Sequence, residues 1–215
     1  RISLVRRARP VALYTDASGS PKNGLGVALV DGDLALYAQT EAPQAFLAAL
    51  ESRRTQINPL EMAAVILAVE TFGHVLRDRD VVLLIDNTTA LGALRKGRSS
   101  AADLSSLAHF TQARLRFFGF ALVLYWVPSK LNLADPPSRG VPPIIGDPQR
   151  PFRSWAAVLA AISETKPGAP SQSLVCHPRG RARRPLRRSP PSREHGISSP
   201  PPSPRAGGGW ARSSQ

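Results

Sequence analysis

Residues 81–85 (VVLLI) are five apolar positions without interruption, preceded by Arg79-Asp80 and closed by Asp86-Asn87. A short β-branched run bounded by charge and a helix start predicts a strand buried on both faces. Residues 11–16 alternate instead, with Val11, Leu13 and Thr15 on one face and Ala12, Tyr14 and Asp16 on the other. Residues 18–23 carry turn chemistry, 24–30 resume an apolar strand, Asp31-Gly32-Asp33 turns it, and 34–40 run back. The first forty residues therefore predict an antiparallel three-stranded meander. Residues 41–57 have no clear period, and Phe46–Leu50 suits either a helical turn or a strand.

A sharp helix start comes next. Asn58 is a good N-cap, Pro59 fits the first helical position and Glu61 the third. The helix should run to about Leu76 and is apolar nearly all round, which predicts packing on more than one side. After the strand at 81–86, a short helix over 88–94 ends in the basic Arg95-Lys96-Gly97-Arg98, with Gly97 as C-cap. Residues 101–118 read as a longer helix stopped by Gly119, and 121–127 as the fifth strand. Pro136-Pro137 excludes a helix interior after the loop at 128–134. This order implies an α/β fold: a five-stranded mixed sheet, part meander and part parallel, with helices on both faces. The expected domain covers residues 10–140, after an upstream linker at 1–9. A partly ordered extension continues over 141–164, with one short helix near Trp155. A disordered basic tail, rich in Pro, Ser and Arg, takes 165–215.

Composition narrows the chemistry. The 215 residues allow one domain plus extra length, and a start at Arg1 rather than Met suits a piece of a longer polyprotein. No run approaches the roughly 18 apolar residues of a membrane span. Cys176 is the single cysteine, which excludes an internal disulfide framework and a thiolate zinc site and suits an intracellular setting, cytoplasm or nucleus. His74, His109, His177 and His195 show no ligand spacing. The net charge of +13 divides into +4 before residue 141 and +9 after it, a balance that suits a polyanionic partner.

Four acids stand at element edges: Asp16, Glu61, Asp86 and Asp135. Each has a plain alternative. Asp16 can start the turn before Gly19, and Glu61 can complete a capping box with Asn58. Asp86 can cap the short helix at 88–94, and Asp135 can cap a turn with Pro136 at its first position. Clustered, they would repel one another unless cations neutralise them. An all-oxygen set points to Mg2+ or Mn2+, and two such ions suit in-line displacement at a phosphodiester.

The strings TDAS, NPLEMAA, LLIDN and the N-x-A-D-x-x-S-R ending at Arg139 resemble the RNase H domain that follows reverse transcriptase in retroelements. The strings at Ile57–Glu61 and Asp86–Leu91 are most similar to tyrosine-recombinase and related long-terminal-repeat retrotransposons. The resemblance covers about residues 10–140. It implies an RNase H-like fold and hydrolysis of the RNA strand of an RNA–DNA hybrid, in a polyprotein with a reverse transcriptase. It also implies that Asp16, Glu61, Asp86 and Asp135 are the catalytic acids holding two divalent ions. Ser18, Asn58 and Asn87 would flank the site and face nucleic acid. Many cellular relatives carry a histidine in the loop before the last acid. Here that loop is Pro128-Ser129-Lys130-Leu131-Asn132, and Lys130 and Asn132 are the candidates to contribute in its place. Arg53, Arg54, Arg95, Lys96, Arg98 and Lys130 are candidate phosphate contacts. Tyr125-Trp126 offers a stacking platform, but core packing at a strand end is the expected role.

Two other functions compete. A degenerate RNase H-like module could serve as a structural or nucleic-acid-binding part, though it has no reason to keep a repulsive acid cluster. Transposase or integrase chemistry is disfavoured, because the helix glutamate falls before the fourth strand rather than after the fifth. In the tail, Arg179, Arg181, Arg183, Arg184, Arg187 and Arg188 form a basic run with no apolar face. It suits sequence-independent phosphate binding, with a localisation signal as the competing role. If phosphate binding holds, deleting residues 165–215 weakens hybrid binding and flattens its salt dependence. Cleavage at saturating hybrid stays nearly unchanged. A filter-binding series across salt concentrations checks this.

Overall fold

Three strands form the meander: β1 (Val11–Ala17), β2 (Gly24–Asp31) and β3 (Leu34–Glu41), paired antiparallel in sequence order. The structure is a computed structural model that describes residues 9–19 and 21–164. The basic run at 179–188 and the rest of the expected tail lie outside the described residues, as does the expected linker apart from Arg9. β4 (Asp80–Ile85) joins β1 in parallel, and β5 (Ala121–Trp126) joins β4 in parallel. The mixed sheet expected from the sequence is therefore present, with one addition. A two-residue strand, β6 (Asp147–Pro148), runs parallel to β3 and makes the order β5-β4-β1-β2-β3-β6.

Alternation decides which face each residue meets. Leu13, Val27, Val81, Leu83 and Ile85 turn to one face and are buried there. Against that face lie α2 (Ile57–Phe72), α3 (Thr88–Lys96) and α4 (Ala102–Phe118), with α1 (Gln44–Ala49) and α6 (Ala156–Ser163) packed beyond them. Every residue of α2 from Pro59 to Val69 is buried, as its all-round apolar sequence requires. Gly97 adopts the left-handed conformation (φ 65°) and donates its N–H to Leu94 O, ending α3 as its sequence predicts.

The other face is covered unequally. α5 (Asp135–Ser138) sits on it alone among the described residues, with Pro136 and Pro137 in its first turn, where no N–H is needed. Val82 and Leu84 are only half-buried, so β4 is not enclosed on both faces as its apolar run predicted. Tyr125 and Trp126 are 55% and 52% exposed, which corrects the expected core packing. Among the described residues β5 is an edge strand with a single neighbour, β4, so its end has little to pack against.

α5 approaches the sheet closely because β2 carries glycine there. A Cβ on Gly26 would lie 2.3 Å from Ser138 N and 2.5 Å from Ala134 O, and one on Gly24 only 2.0 Å from Ser138 O. Glycine in a strand interior weakens it, and here it is the condition for that contact.

The helix start at 58 is also corrected. α2 begins two residues earlier, at Ile57 rather than Pro59; Gln56 occupies the N-cap position, and no side chain caps it. Asn58 lies inside the first turn and accepts a hydrogen bond from Asn87 Nδ2 at 3.0 Å. The helix ends at Phe72 rather than Leu76, and in the turn after it Leu76 N–H still reaches Phe72 O at 3.1 Å.

The segment after Gly140, expected as an extension beyond the domain, contributes to the core. Phe152 N–H donates to Thr71 Oγ1 at 3.2 Å, and Trp155 packs between Phe46 (5.3 Å) and Phe152 (5.8 Å). Val158 and Ile162 are buried with it. Trp155→Ala should therefore cost about 3–5 kcal/mol, the range for removing a buried aromatic. Equilibrium denaturation in urea checks this. An extension that merely rested on a finished domain would show almost no change.

Candidate active site

Three chain elements deliver carboxylates to one place. Asp16 is the penultimate residue of β1 and lies opposite Gly26 of β2. Asp86 comes directly after the last residue of β4, the strand beside β1, and Glu61 projects from the first turns of α2. One carboxylate oxygen from each of Asp16, Glu61 and Asp86 lies within 4.8 Å of the others. Asp16 and Glu61 are 4% and 3% exposed.

The alternatives for these acids fail on geometry. Asp16 is paired within a strand and does not open a turn. Asn87, not Asp86, caps α3, its Oδ1 accepting from Ala90 N–H at 2.9 Å. Glu61 is the fifth residue of α2 and has no capping box to complete.

Electrostatics derive from burial and crowding. Glu61 is pushed up to about 9, first by burial and then by Asp16 and Asp86, against a favourable hydrogen bond from the Ala17 backbone N–H. Asp16 is raised to about 6 by burial, with a contribution from Asp86 and Asp135, while the Ser138 hydroxyl and the charge of Arg139 oppose the shift. Glu61 Oε2 is buried with no hydrogen-bond partner among the described residues. Asp103 shows what a structural acid looks like in this chain. It is 2% exposed, and it accepts from Arg53 Nη2 at 2.7 Å and from Glu51 N–H at 3.1 Å. Among the described residues Glu61 has no cation of that kind. A carboxylate-only donor set with one orphaned buried oxygen fits a hard divalent ion such as Mg2+ or Mn2+.

Asp135 stands outside that three-acid set. It forms an ion pair with Arg139 one helical turn later, Nη2 to Oδ1 at 2.7 Å and Nε to Oδ1 at 3.1 Å. It is nonetheless near enough for its charge to act on Asp16.

The remaining candidates divide. Asn132 is buried, donates to Thr15 O at 2.9 Å and accepts from Ala134 N–H at 3.1 Å. Its amide is committed to holding the loop against β1, which corrects its expected role at nucleic acid. Arg53 is committed to Asp103 in the same way. Ser18 Oγ accepts from Gly24 N–H at 3.0 Å and donates to Ser138 O at 2.7 Å. The Asn58–Asn87 bond ties the helix of Glu61 to the strand end of Asp86. Arg95 is exposed and donates to Leu124 O at 3.1 Å. Lys96 and Arg98, with Thr88, Thr89, Ser99 and Ser100, line an open groove of about 540 Å³ beside α3. Lys130 is exposed on a 3₁₀ turn (Ser129–Leu131).

Sequence reasoning assigned no role to two contacts. Trp126 Nε1 donates to the backbone carbonyl of Asp86 at 3.0 Å, and Ser138 Oγ donates to Asp16 Oδ2. Nothing local marks the first. The second was signalled by Ser138-Arg139 in the last motif and by the paired glycines of β2.

No protein-family profile matches the sequence, and no curated protein does. Solved structures similar to the chain include RNase H1 of the archaeon Halobacterium salinarum, at 21% identity and a TM-score of 0.45, over 58% of this chain and 90% of that one. The N-terminal RNase H domain of a Mycobacterium tuberculosis protein is similar at 17% identity and a TM-score of 0.46, over 61% and 91%. An RNase H1 isolated from compost is similar at 20% identity and a TM-score of 0.44, over 59% and 90%.

Both raised acids hold their protons more tightly folded than unfolded. From the ordinary carboxylate range up to about 6 for Asp16 and about 9 for Glu61, the native state keeps protons that the unfolded chain has released. Stability of the metal-free protein must therefore fall as pH rises from about 5 to about 9. Thermal melts in chelator should show that decline, and Glu61→Gln should flatten the part above about pH 6.

Proposed function

We propose that this chain is a metal-dependent endonuclease domain of RNase H type, hydrolysing the RNA strand of an RNA–DNA hybrid. We further propose that it works beside a reverse transcriptase in the polyprotein of a long-terminal-repeat retroelement. The observation that carries the nuclease reading is the convergence of Asp16, Glu61 and Asp86 with one Glu61 oxygen left unpartnered. The polyprotein context rests on the sequence strings around these acids.

Two divalent ions bound among such carboxylates supply an activated water and stabilise the leaving oxygen of a phosphodiester. The protein's own part is positioning. Asp16 and Asp86 are fixed by neighbouring parallel strands, Glu61 by a helix buried on all sides, and Asp135 stands by on α5 with Arg139. Lys96 and Arg98 present charge to phosphates along the groove beside α3, with the hydroxyls of Thr88, Thr89, Ser99 and Ser100 as further donors. Arg95, next to Lys96 in the chain, Asn87 at the cap of α3, its partner Asn58, and Ser18, two residues after Asp16, are the further residues assigned to the hybrid. Lys130 is exposed in the loop where, by the resemblance, many relatives would carry histidine, and it is assigned a contribution there.

The test is cleavage of a labelled RNA–DNA hybrid by the full chain in Mg2+, with double-stranded DNA and double-stranded RNA as controls. Asp86→Asn should reduce cleavage to background while the circular dichroism is unchanged. Its melting temperature in chelator should rise, because the Asp86 charge that helps push up both Asp16 and Glu61 is gone. Glu61→Gln should be equally inactive and folded. Full activity in either variant, or none in the unmodified chain, would rule the reading out.

A further inference from the structure

Ser138 is 1% exposed, and every polar atom it has is engaged. Its N–H donates to Ala134 O at 3.0 Å, its carbonyl accepts from Ser18 Oγ at 2.7 Å, and its hydroxyl donates to Asp16 Oδ2 while lying 2.9 Å from Asp135 O. The bare backbone of Gly24 and Gly26 walls the other side so closely that neither position admits a Cβ. Ser18, which closes the set, is itself held by Gly24 N–H. Packing alone would be met by alanine at 138. What alanine lacks is the hydroxyl, and that hydroxyl joins the two ends of the proposed site. Asp16 is on β1, and Asp135 begins the helix that Ser138 ends, 122 residues beyond Asp16 in the chain.

We propose that Ser138 is a positioning residue whose hydroxyl orients the Asp16 carboxylate and sets its distance from Asp135. The inference rests on the metal-dependent reading above. It adds that the geometry of Asp16 is not fixed by β1 alone. An aspartate has two side-chain torsions, and an unanchored carboxylate among like charges turns away from them. A hydrogen bond to one oxygen holds the group in place and leaves the other oxygen free for a ligand. Polar groups that orient ligating carboxylates in this way typically change metal affinity by about 10-fold to 100-fold when removed.

The experiment compares the unmodified chain with Ser138→Ala and Ser138→Thr, using Mn2+ alone as the calorimetric probe and Mg2+ in cleavage assays. Ser138→Ala should fold, bind Mn2+ about tenfold or more weakly, and need correspondingly more Mg2+ for half-maximal cleavage, with much of the rate recovered at saturating Mg2+. Ser138→Thr, which keeps the hydroxyl, should bind Mn2+ more tightly than the alanine variant. The proposal is overturned by unchanged Mn2+ affinity in Ser138→Ala. It is overturned equally by equal losses in the two variants, or by an alanine variant that does not fold, since each gives the residue a structural role rather than that of positioning Asp16. An unmodified chain that binds Mn2+ but cleaves no hybrid refutes the functional reading instead, and the calorimetric comparison still decides the role of Ser138.

Discussion

Three carboxylates held within 4.8 Å of one another, two of them buried, are the constraint the rest of this fold must satisfy. Such a cluster opposes folding through desolvation and mutual repulsion. The opposing stabilisation sits directly behind it. α2 buries all eleven residues from Pro59 to Val69, so Glu61 cannot swing outward without uncovering core. β1 and β4 are the central parallel pair, each flanked by a further strand, which leaves Asp16 and the adjoining Asp86 little backbone freedom. The strain is thus placed where the scaffold is stiffest, as a preorganised site requires.

Around that centre a set of single hydrogen bonds joins elements that are remote in sequence. Asn87 reaches Asn58, Trp126 reaches the Asp86 carbonyl, Asn132 reaches the Thr15 carbonyl, and Ser138 reaches Asp16. Each links a residue adjoining one acid, or the acid itself, to a different element. The acids are therefore located by tertiary bonds as much as by strand geometry. A search for carboxylates alone finds the ligands and misses what holds them.

Much of this was legible in the sequence, for physical reasons that also explain the failures. The meander, the buried helix and the strand ending at Asp86 declare themselves through period and length. The four acids fall at the edges of those elements. Asn58 misled because Asn-Pro is a strong local start signal, whereas its actual partner, Asn87, lies 29 residues away and leaves no local mark. Tyr125 and Trp126 misled because an edge strand and an interior strand look alike in one sequence. β6, at two residues, is too short to carry a period, and the aromatic cluster at Phe46, Phe152 and Trp155 joins segments about a hundred residues apart. Gly24-x-Gly26 was readable. Two glycines on one face of a strand announce that another backbone comes close, and here that backbone belongs to Ser138.

The late contribution of α6 has a consequence for how the protein is made. Asp16, Glu61 and Asp86 have all left the ribosome long before Trp155, Val158 and Ile162 are added, yet those last side chains complete the hydrophobic layer behind α1 and α4. Until then Phe46 lacks its aromatic neighbour Trp155. The nascent chain therefore passes through an interval in which its acids are synthesised but its core is open. An arrest or premature stop between residues 141 and 155 would leave every carboxylate of the site on a body with an exposed apolar seam, a substrate for chaperones and proteases rather than a working domain.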